Sequence, residues 1–346
     1  MIGKKKKKRG GIKVTSQRFF LLLATLALVY IHLLGDLDIP ERDHPALVRP
    51  SITPAVDGYR KPRLEEYIQG WNITKNVNWL LDFSIVGFPK TGTSTIMLYL
   101  KNHTESVFIF DDERCELGWN QEVPLLKDLY REYQPNLLMG IKCPWNLEVD
   151  NSLDNYRTYF PETKFIVGVR NPIRWFESFY NFRIHNEFPM RPPQRLIGKC
   201  KKLNKGVCTD RANFSNHLAR IEDSRKVFLF ETSQLKNSES TNVFLRDLEE
   251  FLGLKTPLRG PMMHVKPGRK PMSKEHEEEL NSKKIDICEP QYVYLRGVLK
   301  DHASESADWI LDKFLSNPNV KVSNPDYFKS KLQEWHSDPC DTKTNK

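Results

Sequence analysis

Short apolar runs recur along the middle of the chain, and each stops at a loop before helix-like spacing takes over. The first ends at Gly87 and leads through Phe88-Pro89-Lys90-Thr91-Gly92-Thr93-Ser94-Thr95 into Ile96-Met97-Leu98-Tyr99-Leu100. The second, Phe165-Ile166-Val167-Gly168-Val169, reads as a buried strand. It runs into Asn171, a helix cap, and Pro172, which suits a first turn because no N–H is missed there. Phe108-Ile109-Phe110 and Phe228-Leu229-Phe230 read as further strands, Lys274 to Lys284 as a charged helix, and Tyr292 to Leu315 as an amphipathic helix packed on the body. No internal repeat is present. Strands alternating with helices over roughly 260 residues, from about Asn76 to Trp335, predict one α/β domain with a substantial core.

The loop after Gly87 has the chemistry of an anion site. Small residues let backbone approach an anion, the N–H groups at the following helix start point toward it, and Thr93, Ser94 and Thr95 add hydroxyl donors. A nucleoside-triphosphatase loop needs Gly, four residues, Gly, then Lys and Ser or Thr. Here Lys90 precedes the turn, which disfavours a nucleoside-triphosphate kinase. In the second unit Arg170 sits at a strand's carboxyl end, and Ser178 follows Asn171 by two helical turns, on the face that shares an anion with Arg170.

With those residues in hand, the sequence resembles the sulfotransferases that use 3′-phosphoadenosine-5′-phosphosulfate (PAPS), specifically their membrane-anchored carbohydrate branch. Lys90, Thr91, Gly92, Thr93, Ser94 and Thr95 look like the loop that holds the 5′-phosphosulfate. Arg170 and Ser178 look like the 3′-phosphate site. Gly140-Ile141-Lys142-Cys143-Pro144 resembles a lysine-bearing strand end near the reacting centre, and Lys266-Pro267-Gly268-Arg269-Lys270 the basic loop that closes over the nucleotide. Phe228 to Glu231 and Phe251 to Leu254 resemble the family's later strand and helix. The resemblance covers roughly residues 80 to 275. It implies a P-loop-like three-layer sandwich around a mainly parallel sheet, PAPS as co-substrate, no required metal, and a carbohydrate acceptor.

Sulfuryl transfer requires a base, neutralisation of the sulfate oxygens and positioning of both partners. Lys90 is the candidate for the bridging oxygen. In the family a glutamate at about this distance after the loop acts as base; Glu113 matches it with one residue inserted and Asp112 without a gap, within the acid run Asp111-Asp112-Glu113. Glu113 is preferred, although Arg114 beside it would oppose an upward pKa shift. Lys142 is expected at the sulfate or the acceptor by resemblance alone. His103 and His185 are outside candidates. Arg183, Lys199, Lys201 and Lys202 would line a cleft for an anionic polysaccharide, with Trp119 or Trp145 against sugar rings. A protein-tyrosine sulfotransferase and a non-catalytic binding protein of the same fold stay open as alternatives.

Charge narrows the partners. The chain carries a net charge of +9, and eight cationic residues within 1 to 18, with no acid among them, account for all but one of it. A generally basic nucleic-acid-binding surface is therefore unsupported. Phe19 to Leu34 follows, sixteen residues without formal charge, about 24 Å as a helix at about 1.5 Å per residue. Positive charge before it and Asp36 and Asp38 after it orient the N-terminus to the cytosol. The expected organisation is a basic tail (1–18), a signal anchor (19–35), a Pro-bearing stem (36–75), a lumenal sulfotransferase domain (76–335) and a tail (336–346). That makes a single-pass type II protein of the Golgi membrane. Sequons at Asn72, Asn102 and Asn213 fit a secretory route. Of six cysteines, Cys200 and Cys208 are the expected pair, while Cys143 and Cys288 read as buried thiols.

Overall fold

The computed structural model describes residues 61–222, 226–258, 262 and 272–341. A small antiparallel hairpin, β1 (Ile68–Gln69) and β2 (Asn72–Ile73), comes first. The main chain path then alternates strand and helix. It runs β3 (Phe83–Ile85), α1 (Thr93–Lys101), β4 (Val107–Ile109), α2 (Glu122–Glu132), β5 (Leu138–Lys142), α3 (Asp150–Tyr159), β6 (Lys164–Val169) and α4 (Pro172–His185). The remainder is α5 (Ser215–Leu218), β7 (Val227–Glu231), α6 (Ser238–Leu252), α7 (Lys274–Ser282), α8 (Val293–Lys313), β8 (Val320–Val322) and α9 (Pro325–Gln333).

Six strands form one sheet in the order β4-β5-β3-β6-β7-β8, every pairing parallel. Strands buried on both faces read as continuous apolar runs, and β6 and β7 do so: Phe165 to Val169 and Val227 to Glu231 are all buried. Alternate side chains go to opposite layers. Phe83, Ile85, Ile166, Phe228 and Phe230 pack under α1 and α6, while Met139, Ile141, Phe165, Val167 and Leu229 pack under α2, α3, α4, α8 and α9. The α/β class with a mainly parallel sheet between helical layers is thus observed.

The strand order places the site. From β3 the chain crosses to the edge at β4, returns through β5, and passes β3 to reach β6. The helix after β3 covers one face and the helix after β6 the other, so the two neighbouring loops diverge at the carboxyl ends of adjacent strands. Such a reversal opens a crevice where ligands bind in open α/β sheets.

Helix ends follow their capping chemistry. Asn171 Oδ1 accepts from the N–H groups of Ile173 and Arg174 at 3.0 and 3.4 Å, with Pro172 in the first turn. Asn237 caps α6 through Ser240 N–H at 2.8 Å, and Gly253 ends that helix in the left-handed region. In α8 the buried positions Leu295, Leu299, Ala303, Ala307 and Ile310 recur every three or four residues, the stripe that packs it on the body.

Two expectations are corrected. All six cysteines pair: Cys200–Cys208 as expected, and also Cys115–Cys143 and Cys288–Cys340, so Cys143 and Cys288 are not thiols. No helix among the described residues is long and apolar enough to cross a membrane, and the expected anchor at 19–35 lies outside the described residues. Its sixteen uncharged residues are also fewer than the roughly 20 that a hydrocarbon core of about 30 Å calls for. The membrane as partner, the type II Golgi topology and the assignment to the membrane-anchored branch are withdrawn together.

Candidate active site

The segment between β3 and α1 is held from three sides. Thr91 Oγ1 donates to the Phe88 carbonyl at 2.7 Å, Trp175 Nε1 of α4 donates to the Pro89 carbonyl at 2.7 Å, and Arg170 Nη1 donates to the Lys90 carbonyl at 3.2 Å. Lys90 and Gly92 both take left-handed backbone, with φ of 67° and 91°. Glycine adopts that conformation freely, whereas a lysine there is strained and persists because its surroundings hold it. α1 starts directly after Gly92, and Ile96 N–H is the first to bond back, to the Gly92 carbonyl at 3.1 Å. The N–H groups of Thr93, Ser94 and Thr95 therefore have no helical partner, the arrangement that favours an anion.

Backbone closeness makes this loop geometry possible. A Cβ on Gly168 would lie 2.5 Å from Phe230 Cζ and 2.8 Å from the Thr91 carbonyl oxygen, and one on Gly87 would lie 2.6 Å from Gly168 N. Gly168→Ala should therefore cost about 1–3 kcal/mol of stability through overpacking and displace Thr91. Urea unfolding with tryptophan fluorescence checks this, and an unchanged midpoint would refute it.

Cations gather here. Lys90 Nζ lies 4.5 Å from the Phe182 ring centroid, and its pKa is lowered, first by burial and then by the charges of Arg170 and Lys142. Arg170 is likewise lowered by burial, which the carboxylates of Glu231 and Glu177 oppose. Glu231 closes β7, nearly buried, and burial raises its pKa although Ser233 donates to it. Ser178 sits part-buried on α4, two turns on from the Asn171 cap, and no hydrogen bond joins it to Arg170 among the described residues. Lys266, Gly268 and Arg269 lie outside the described residues.

The second half of the site comes from β4 and β5. Lys142 ends β5, its side chain only 4 % exposed, and its Nζ donates to Ser94 Oγ of α1 and to Glu113 Oε1, both at 2.9 Å. Glu113 is 49 % exposed and so faces solvent beside this buried cation. Of the three candidate acids, Asp111 is turned outward to Lys101 at 2.8 Å, and Asp112 is exposed. Arg114 does not face Glu113: it stacks 4.4 Å from the Phe110 ring and pairs with Glu116 and Asp128. His103 lies past the far end of α1, buried against Tyr99, and His185 is in the last turn of α4.

Sequence patterns gave no sign of Trp175, Phe182 and Glu231 as parts of the site, because each reads as ordinary core or strand end until its neighbours are known. Arg183 borders the site more closely than the polysaccharide expectation implied. It lies 4.9 Å from the rings of both Phe179 and Phe188, its buried Nε lacks a hydrogen-bond partner, and the Glu113 carboxylate opposes the lowering of its pKa by burial and Arg211. Trp145 is stacked by Arg211 at 4.1 Å, which leaves less of its ring for a sugar; Trp119, Lys199, Lys201 and Lys202 are exposed. Among the described residues no group of three or more His, Cys, Asp or Glu is placed to hold a metal ion.

No family model matches the chain, and no curated relative matches it. Among solved structures it is similar to a sulfotransferase from Alicyclobacillus acidocaldarius. The likeness has 16 % identity, 67 % of this chain and 96 % of that one covered, and a TM-score of 0.47. It is also similar to the sulfotransferase domain from the curacin biosynthetic pathway, at 17 % identity over 56 % of this chain and 82 % of that one, with a TM-score of 0.39.

Proposed function

We propose that this crevice transfers a sulfuryl group from PAPS to an acceptor hydroxyl. One observation carries the reading: Lys142 Nζ links Ser94, at the start of the anion-facing helix, to Glu113, a carboxylate open to solvent, through two bonds of 2.9 Å. An anion held at the start of α1 is then one side chain away from a proton acceptor. In the reaction the acceptor oxygen forms a bond to sulfur as the bond from sulfur to the 5′-phosphate oxygen breaks. The hydroxyl proton passes to the Glu113 carboxylate, and 3′-phosphoadenosine 5′-phosphate leaves. Lys90 neutralises the departing oxygen, Lys142 the transferring sulfate, and the Thr91 to Thr95 backbone and hydroxyls cradle the phosphosulfate. Positive charge on the largely buried Lys90 and Lys142 side chains stabilises such a transition state more than it would in water.

Arg170, with Ser178, is assigned to the 3′-phosphate, and the loop bearing Lys266, Gly268 and Arg269 to the nucleotide by resemblance. The catalytic unit is assigned to 76–335. The class of acceptor hydroxyl is what the transfer panel below decides.

The test compares binding of 3′-phosphoadenosine 5′-phosphate with that of adenosine 5′-phosphate. The unmodified chain should prefer the first, and Arg170→Ala should lose that preference by roughly 10²-fold, the value of a charge-assisted contact of about 2–3 kcal/mol. Transfer of radiolabel from PAPS to a panel of polysaccharides and tyrosine peptides then tests turnover. Equal affinity for the two nucleotides in the unmodified chain would sink the donor assignment.

A further inference from the structure

We infer that the Cys115–Cys143 disulfide is a positioning device for the Glu113–Lys142 pair, fixing the proposed proton acceptor against the cation that orients it. The two half-cystines flank that pair in sequence: Cys143 follows Lys142 directly, and Cys115 follows Glu113 by two residues. The bridge brings their Cα atoms to 5.2 Å, and Arg114 N–H donates to the Lys142 carbonyl at 2.8 Å beside it. Cys143 is in turn fixed to the phosphosulfate side, its N–H donating to the Ile85 carbonyl of β3 at 3.0 Å.

On the other side little regular structure restrains Glu113. β4 is one of the sheet's two edge strands and ends at Ile109, and residues 110 to 115 belong to no helix or strand. The Arg114 side chain holds this segment outward, toward Glu116 and Asp128, so it anchors the loop without aiming Glu113 inward. A half-exposed carboxylate on an irregular edge segment samples many positions unless the segment is fixed, and a covalent bridge buried at both ends fixes it. The other two bridges, Cys200–Cys208 and Cys288–Cys340, do not flank a site residue in this way.

The activity arm of this inference rests on the sulfuryl-transfer reading, so its test has a second arm that does not. The full chain is compared with Cys115→Ser/Cys143→Ser, with the volume-keeping Cys115→Ala/Cys143→Val, and with Cys200→Ser/Cys208→Ser as control. First, acylation of Lys142 by an amine-reactive ester is followed by mass spectrometry. Lys164, which donates to the Phe251 and Leu252 carbonyls at 2.9 Å, is the internal reference. Lys142 should react at least about tenfold faster in both Cys115/Cys143 variants, because a side chain freed from its pair becomes open to reagent, while Lys164 stays unchanged. Second, kcat should fall roughly 10²-fold, as for an approximately 1 Å misplacement of a reacting group. Affinity for 3′-phosphoadenosine 5′-phosphate should hold, and the acidic limb of the pH profile should move.

Unchanged Lys142 reactivity and kcat in a folded variant would overturn the inference. So would unfolding of both variants, which would make the bridge a requirement of the fold. If the unmodified chain transfers no sulfate yet Lys142 reactivity rises, the transferase reading fails and the positioning role stands.

Discussion

Lys90→Ala is expected to lower the rate of sulfuryl transfer by roughly 10²–10³-fold, the cost of removing one preorganised donor at developing negative charge. The same substitution should make the unliganded chain more stable, not less. Burial, with Arg170 and Lys142 nearby, lowers the pKa of Lys90, which means that the folded chain disfavours its charged form. A cation held under those conditions destabilises the fold at every pH below the lowered pKa. That cost is relieved as pH rises through the lowered value toward 10.5, the ordinary lysine value. Removing the charge should therefore raise the thermal midpoint at neutral pH, and bound donor anion should erase the difference. Activity has the opposite dependence: it needs the cation and falls as pH rises through the lowered pKa. Lys90→Arg keeps its charge and should carry the alkaline limb to higher pH. Melting curves with and without 3′-phosphoadenosine 5′-phosphate, and a pH–rate profile, give both readings. A rate that Lys90→Ala leaves unchanged, or an alkaline limb that does not respond to Lys90→Arg, would remove Lys90 from its assigned role, whereas a lower midpoint in Lys90→Ala would show that its contact with the Phe182 ring outweighs the cost of burying the charge.

Glu113→Gln is expected to reduce kcat by roughly 10²–10⁴-fold, the range for loss of a general base, and to abolish the acidic limb of the pH profile. The amide keeps the shape of the side chain and can still accept from Lys142, so the Lys142–Ser94 contact and donor affinity should persist. Asp112→Asn, at an exposed position, and Asp111→Asn, at the acid turned to Lys101, should leave the limb in place. Loss of the limb in Asp112→Asn with full activity in Glu113→Gln would move the base to Asp112, the assignment that needs no inserted residue.

Local signals made the first half of the site legible. Lys90 and Arg170 each stand where an apolar run meets a helix start, and glycine, asparagine and proline chemistry within a few residues marks that junction. Cys200 and Cys208 are eight apart and needed no knowledge of the fold. The second half depends on strand order. Glu113 and Lys142 are 29 residues apart and meet only because β5 lies between β4 and β3, and nothing in either segment encodes that neighbourhood. The same holds for Cys115 with Cys143 and for Cys288 with Cys340, separated by 28 and 52 residues. Trp175 lies hidden in the apolar stripe of α4 although its indole N–H fixes the Pro89 carbonyl. Arg114 shows the opposite failure. Adjacency in sequence set it against Glu113, whereas its side chain leaves on the other side toward Asp128.

The hydrogen bond from Lys142 to Ser94 spans the two halves of the crevice, one built by the central strands β3 and β6 and the other by β4 and β5 toward the edge. A lineage descended from this chain could exchange the outer half for another acceptor and keep the inner half for the same donor, provided that the β3–β5 pairing and this side-chain joint survive. Drift should therefore be slow at positions 94, 113, 115, 142 and 143 and faster at the outward-facing positions 111 and 112, and a chimera that swaps the outer loops must preserve those five positions to stay in register with its donor.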